Sequence, residues 1–205
     1  MSTQLDRLVQ ELLSRRTERI RTVAIVSSVR GEGATACVIN VAAHLTTYHE
    51  FRVLLVDANL RDPSLHNAFH LEMDNGLSDV LLGNAELAAV IKKTQVPNLS
   101  VVTGGSFVSK PNQLLDAERL ASSLFGMTTN YDYVLLDCPP VNYYPDTARI
   151  APLCDGVILV VHAGKTRRKV VQRAETTLDH VNANVLGVIL NKRKYYIPKF
   201  IYDRL

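Results

Sequence analysis

The sequence predicts an α/β fold, a mostly parallel central sheet with helices on both faces. Two observations lead there. Apolar, β-branched runs of strand length alternate along the chain with segments whose apolar residues recur at helical spacing, as in parallel sheets covered on both sides. The second observation is local: residues 22–45, TVAIVSSVRGEGATACVINVAAHL, read as strand, glycine-bearing loop and helix. No internal repeat or low-complexity linker interrupts the pattern. The expected organisation is an amphipathic helix within 1–21, one domain over 22–194 and a tyrosine-containing tail at 195–205.

Composition bounds the answer. The 205 residues are 47% hydrophobic and 21% charged, ordinary for a globular chain. A domain of this length buries roughly 70% of its unfolded surface, so a sizeable core is available. The net charge of +3 is modest but uneven. Arg15, Arg16, Arg19 and Arg21 form one basic cluster, Lys165, Arg167, Arg168 and Lys169 a second, and Lys192, Arg193 and Lys194 a third. Such clusters suit solvated faces first, and after that acidic partners, membrane surfaces or nucleic acid. Cys37, Cys138 and Cys154 are too few for a disulfide framework and too irregularly spaced for a metal site, which fits a reducing cytoplasm. No apolar run approaches the roughly 18 residues of a spanning helix, and the polar start MSTQLDR is unlike a signal peptide. A cytoplasmic location is expected, with any membrane role exercised through a partner.

Along the chain, Leu5, Leu8, Val9, Leu12 and Leu13 lie at helical spacing within 3–16, with Thr3 as a cap. Thr22 to Val26 reads as the first strand, and Thr35 to Leu45 as the helix after the loop. Between them the pattern G-x-x-x-x-G-K-[ST] aligns with Ser28 first, Gly33 sixth and Thr35 at the hydroxyl position. In that pattern backbone N–H groups converge on phosphate oxygens, the helix start adds its positive end, and the hydroxyl serves Mg²⁺. The expected fold is therefore of the P-loop NTPase type. Ser28, Arg30, Gly31, Glu32, Gly33, Ala34 and Thr35 form the candidate nucleotide-binding set. Ala34 stands where the pattern has lysine. A lost charge-assisted hydrogen bond costs roughly 1.5 to 3 kcal/mol, weakening nucleotide binding about 10- to 100-fold. Phosphoryl transfer should suffer more, because it rests on neutralising charge in the transition state. Arg30 is the nearest substitute cation, or else a solvated loop arginine.

Val53 to Val56 reads as a strand ending in Asp57, where ligands bind in open α/β sheets. Asp57 there would hold a metal-bound water or accept a proton. GLSDVLLG and AELAAVIKK, within 76–93, show helical spacing. Asn98 to Val102 reads as a short strand, and Pro111 to Met127 as one helix with proline in its first turn. YDYVLLDCPP is an apolar strand closed by Asp137, a Walker B arrangement in which the carboxylate helps hold Mg²⁺. Asp146 is expected as a helix N-cap. Gly156 to Val161 then reads as a strand, Thr166 to Val181 as a helix, and Val185 to Leu190 as a strand closing on Asn191.

In this order the motifs resemble the bacterial tyrosine kinases of capsule and exopolysaccharide synthesis, a branch of the deviant-Walker P-loop ATPases. SSVRGEGAT is similar to their phosphate loop, VLLVDANLRDPSLH to their Walker A′ segment and YDYVLLDCPP to their Walker B; GLSDVLLG, KPNQLL, CDGVILVV and VLGVILN also match. The resemblance implies ATP or ADP with Mg²⁺ and autophosphorylation on C-terminal tyrosines, here Tyr195, Tyr196 and Tyr202. It further implies a transmembrane polysaccharide chain-length regulator or co-polymerase as partner, which places the chain at the inner face of the membrane. Homo-oligomers belong to the same expectation. By position, Thr35, Asp57 and Asp137 would serve the metal, Asp57 the base role, and Asn191 the adenine side.

The chain departs from the family at Ala34, at Asn59 in place of a second Walker A′ aspartate, and at Arg30 in place of proline. An arginine-rich E-x-x-R-x-x-R motif has no match near Glu11 to Arg21, and the tail tyrosines are scattered. The expectation is a catalytically impaired or inactive member, a pseudokinase that regulates or scaffolds polysaccharide export. The alternatives are an active autokinase with a substitute cation, and a partitioning-type ATPase relative that binds DNA through its basic clusters. No specific nucleic acid is expected.

Overall fold

The structure is a computed structural model that describes residues 9–10, 14, 20–115 and 117–193. Strand β1 (Thr22–Ser27) leads through the glycine loop into helix α1 (Ala34–His49). Strand β2 (Val53–Asp57) and the short helices α2 (Leu65–Ala68), α3 (Leu77–Leu82) and α4 (Leu87–Val90) follow. Strands β3 (Ile91–Lys93) and β4 (Leu99–Val102) precede α5 (Pro111–Leu114), α6 (Ala117–Thr128) and β5 (Tyr133–Asp137). The described chain closes with α7 (Asp146–Ile150), β6 (Gly156–His162), α8 (Arg168–His180) and β7 (Val185–Asn191).

The strands form one seven-stranded sheet in the order β3-β4-β2-β5-β1-β6-β7, parallel except for β3 against β4. Successive residues of the central strands feed opposite faces. Ala24 and Val26 enter a core layer with Leu77, Leu81, Leu120, Leu124 and Leu178 of α3, α6 and α8. Val23 and Ile25 enter the other layer with Val38, Val41, Ala42 and Leu45 of α1. Strands buried on both faces carry no polar alternation, which is why VLLVD and YVLLD are continuous apolar runs. A fully buried leucine in either layer contributes roughly 1.5 to 3 kcal/mol.

Two elements differ from expectation. AELAAVIKK is helical only over Leu87–Val90; Ile91 then pairs antiparallel with Val102, and Lys93 with Ser100. Backbone pairing with β4 outweighs the helical spacing of so short a segment. The helix expected from Pro111 to Met127 is two helices, because Leu115 leaves helical geometry at φ −78° and ψ 64° while burying its side chain. Of the expected N-terminal helix only Val9, Gln10 and Ser14 are described, all helical, with Val9 buried in the α1 layer. Arg15, Arg16, Arg19 and Lys194, and the tail tyrosines Tyr195, Tyr196 and Tyr202, lie outside the described residues. Cys37, Cys138 and Cys154 are buried and unbridged. Among the described residues no helix is long and apolar enough to cross a membrane.

Candidate functional site

The carboxyl ends of β1, β2 and β5 meet at one crevice. There the chain has stepped from β1 outward to β2 in one direction and later returns past β5 to β6 on the other side. The loop after β1 keeps its shape through one side chain. Glu32 is 1% exposed, and its Oε2 accepts hydrogen bonds from the Ser28 N–H (2.7 Å), the Ser28 hydroxyl (2.7 Å) and the Val29 N–H (2.9 Å). Its Oε1 accepts from the Thr166 hydroxyl at 2.5 Å and from the His162 N–H at 3.2 Å. Burial pushes the Glu32 carboxyl up, but the hydrogen bonds from Thr166, Val29, Ser28 and His162 hold it below its ordinary value. Glu32 thus spans the loop and the β6–α8 connection.

Gly33 precedes α1 in the left-handed region at φ 91°, and no side chain caps the helix. The first N–H groups of α1 are left for an anion, as a phosphate loop requires. A Cβ on Gly33 would lie 2.5 Å from Asn191 Nδ2, so the position also needs glycine for space. Asn191, at the end of β7, donates from Nδ2 to the Glu32 carbonyl at 2.8 Å.

Arg30, Gly31, Gly33, Ala34, Thr35 and Asp137 line a cavity of about 260 Å³ together with Asn59 and Tyr144. Within it the Thr35 hydroxyl donates to Asp137 Oδ2 at 2.6 Å. Asp57 and Asp137 are register partners on β2 and β5. Asp57 Oδ2 accepts the N–H groups of Ser64 (2.8 Å) and Leu65 (2.9 Å), while its Oδ1 is buried without a hydrogen-bond partner. Burial pushes Asp57 up to about 6 against its backbone hydrogen bonds. Burial likewise pushes Asp137 up to about 7; the Thr35 hydrogen bond opposes this and the Asp57 charge adds to it. Two fully buried carboxylates side by side are costly without a cation.

The donor set fits magnesium. A hydroxyl and two carboxylates, one of them with an oxygen that has no hydrogen-bond partner, are hard oxygen donors, and Mg²⁺ takes few protein ligands, leaving its other positions to water and phosphate. Among the described residues no cluster of three or more His, Cys, Asp or Glu side chains is placed to hold a metal ion.

Several neighbours carry no motif of their own. Arg61 Nε donates to Asp146 Oδ2 at 2.5 Å, and the Arg61 guanidinium lies 4.4 Å from the centre of the Tyr144 ring. Asp146 is therefore an ion-pair partner inside the first turn of α7, whose N-cap is Pro145, and not the cap expected from sequence. Arg30 donates to the Tyr144 hydroxyl at 3.2 Å and lies 3.8 Å from Asp62. Lys192, just past β7, donates from Nζ to the Gly31 carbonyl at 2.8 Å. The sequence holds one signal for it, the basic triplet that begins at Lys192 directly after Asn191.

Comparison with known proteins agrees with this layout. Residues 20–186 match the AAA domain family. The tyrosine-protein kinase CpsD of Streptococcus agalactiae is 34% identical over 173 residues, covering 84% of this chain and 75% of that protein. The kinase domain of the Escherichia coli tyrosine kinase ETK superposes with a TM-score of 0.81 at 27% identity, covering 96% of this chain and 72% of that one. The septum site-determining protein MinD of Pyrococcus horikoshii, solved as a complex with Mg-ADP, superposes with a TM-score of 0.72 at 25% identity, covering 89% of this chain and 76% of that one. At that identity and coverage, and with the family match over 20–186, the chain belongs to the bacterial tyrosine kinase family of P-loop proteins.

Proposed function

We propose that this chain is a catalytically impaired tyrosine-kinase-like protein that retains a nucleotide and Mg²⁺ site. In this reading it regulates or scaffolds exopolysaccharide or capsule synthesis and export, acting at the inner face of the membrane through a transmembrane chain-length regulator. The observation that carries it is a contrast at one crevice, whose cavity is lined by Thr35, Asp137, Ala34 and Asn59, with Asp57 beside Asp137 on the neighbouring strand. The Thr35–Asp137 pair and the orphaned oxygen of Asp57 are kept, while Ala34 brings no ammonium and Asn59 brings no second Walker A′ carboxylate. The relatives' names as tyrosine-protein kinases and the Mg-ADP of the MinD neighbour support the ligand and the ancestral chemistry.

The division of labour follows from the geometry. Loop N–H groups and the α1 start bind phosphate oxygens, and Glu32 keeps the loop in shape. Thr35, Asp137 and Asp57 would hold Mg²⁺, which when bound neutralises charge on the phosphates. Asp57 is also the candidate base for a tyrosine hydroxyl. Binding needs the loop and the metal donors; transfer needs the ammonium as well, because charge moves onto the leaving phosphate. Calorimetry with Mg-ADP, paired with a phosphotyrosine immunoblot after incubation with Mg-ATP, tests the reading. Measurable ADP uptake with negligible phosphotyrosine is expected. Robust autophosphorylation would remove the impairment, and absent uptake would remove the nucleotide site.

A second reading, an active autokinase in which Arg30 replaces the lysine, has one observation in its favour: Arg30 lines the cavity. Its guanidinium, however, is directed to Tyr144 and Asp62. Loss of turnover in Arg30→Ala would support this version, and unchanged turnover would discard it.

A further inference from the structure

We propose that Lys192 is the stand-in cation of the phosphate loop, reaching the nucleotide's phosphates from the β7 side in place of the lysine that Ala34 lacks. This rests on the nucleotide site proposed above.

Lys192 reaches the loop from the end of β7, whereas Arg30 is turned to Tyr144 and Asp62. Its Nζ donates to the carbonyl of Gly31, the fourth residue of the loop pattern, at 2.8 Å, and Gly31 lines the cavity that holds Thr35 and Asp137. Its Cε lies 3.5 Å from where a Cβ of Gly33 would stand. The absent side chain at Gly33 therefore leaves the space through which the lysine stem passes. The backbone is arranged for the same end. Lys192 adopts φ 55°, uncommon for a residue with a side chain, and its N–H donates to Asn191 Oδ1 at 2.8 Å. Asn191 in turn holds the Glu32 carbonyl from Nδ2. Two consecutive residues of a strand end thus grip two consecutive carbonyls of the loop.

The ammonium is available. Of its three donors one is given to Gly31, and among the described residues no carboxylate pairs with it. A carbonyl is a weak partner for a full positive charge compared with a phosphate oxygen, so a small swing of the flexible stem exchanges the poorer acceptor for the better one. Lys192 also lines a second cavity of about 690 Å³ with His162, Lys165 and Arg193, so it stands between the loop and a basic cleft.

A four-variant cycle on the full chain tests this, with Mg-ADP calorimetry of the wild type, Lys192→Ala, Ala34→Lys and the double variant. If Lys192 stands in for the lysine, Lys192→Ala weakens Mg-ADP binding about 10- to 100-fold when residue 34 is alanine, and less than about 3-fold once Ala34→Lys is present. Thermal unfolding without nucleotide separates a folding defect from a binding defect, and Lys192→Arg should recover part of the affinity. Equal losses in both backgrounds would make Lys192 a prop for the loop and overturn the proposal, as would no loss in the wild-type background. Uptake by Ala34→Lys but not by the wild type would overturn it too, and would reduce the proposed nucleotide site to a cradle that binds only once its lysine is restored. No uptake by any variant would remove the nucleotide site itself.

Discussion

Asp57 and Asp137 sit side by side at the ends of β2 and β5, and burial favours the protonated form of each. Their folded pKa values, about 6 and about 7, lie above the ordinary value of 3.8, so the folded chain binds more protons than the unfolded one between those limits. Stability from this pair is present below about pH 4 and is lost as pH rises through about 6 and 7. Mg²⁺ prefers the ionised carboxylates, so its stabilising effect should be larger at about pH 8 than at about pH 5. Asp57→Asn keeps an oxygen for the Ser64 and Leu65 N–H groups and removes one buried charge. Without Mg²⁺ at about pH 8 it should be more stable than the wild type by roughly 1 to 3 kcal/mol, and it should lose most of the Mg²⁺-dependent gain. Urea titrations with and without magnesium at both pH values measure this. Glu32 behaves oppositely: its lowered pKa gives stability that is present above the ordinary value and lost as pH falls through the folded one. Both aspartates are legible in the sequence because each closes an unbroken apolar strand. The bracing role of Glu32 is not, since His162 and Thr166 stand 130 and 134 residues away.

At the level of elements, α1 links the loop to the core. Its inner face carries Val38, Val41, Ala42 and Leu45, all fully buried. Leu45→Ala should cost about 2 to 5 kcal/mol in chemical unfolding through lost burial and the cavity left behind. Because the loop and the Thr35 end of α1 are remote from Leu45 along the helix, Mg-ADP affinity should change far less than stability. The strand–loop–helix unit reads directly from sequence, since its glycine spacing, hydroxyl and apolar period are local. The edge strand β3 does not. AELAAVIKK satisfies helical spacing, and only pairing with β4, brought alongside by the fold, decides otherwise. The Leu115 break is equally hidden, because the demand for burial that bends the chain there is tertiary.

For the molecule as a whole, the sheet order gathers β1, β2 and β5 into one crevice, and the missing groups are then few and local. In the Lys192→Ala background, Ala34→Lys with Asn59→Asp should raise Mg-ADP affinity about 10- to 100-fold and produce phosphotyrosine on incubation with Mg-ATP. Calorimetry and an immunoblot read the two effects separately. A gain in affinity without phosphotyrosine would place the catalytic loss elsewhere in the chain. The α/β architecture and the crevice were legible because alternation of strand and helix admits few layer arrangements. The sequence alone did not reveal that Lys192 and Arg61 flank the crevice, since each meets its partner only after the sheet closes.

The five hydrogen bonds that converge on Glu32 also bear on how a ligand would be received. A glycine-bearing turn left to itself would sample many shapes, and a visiting phosphate would have to freeze one of them. Here that ordering is already complete when the chain finishes folding, so capture of an anion carries little further entropic penalty. The receptor is cast before its guest arrives.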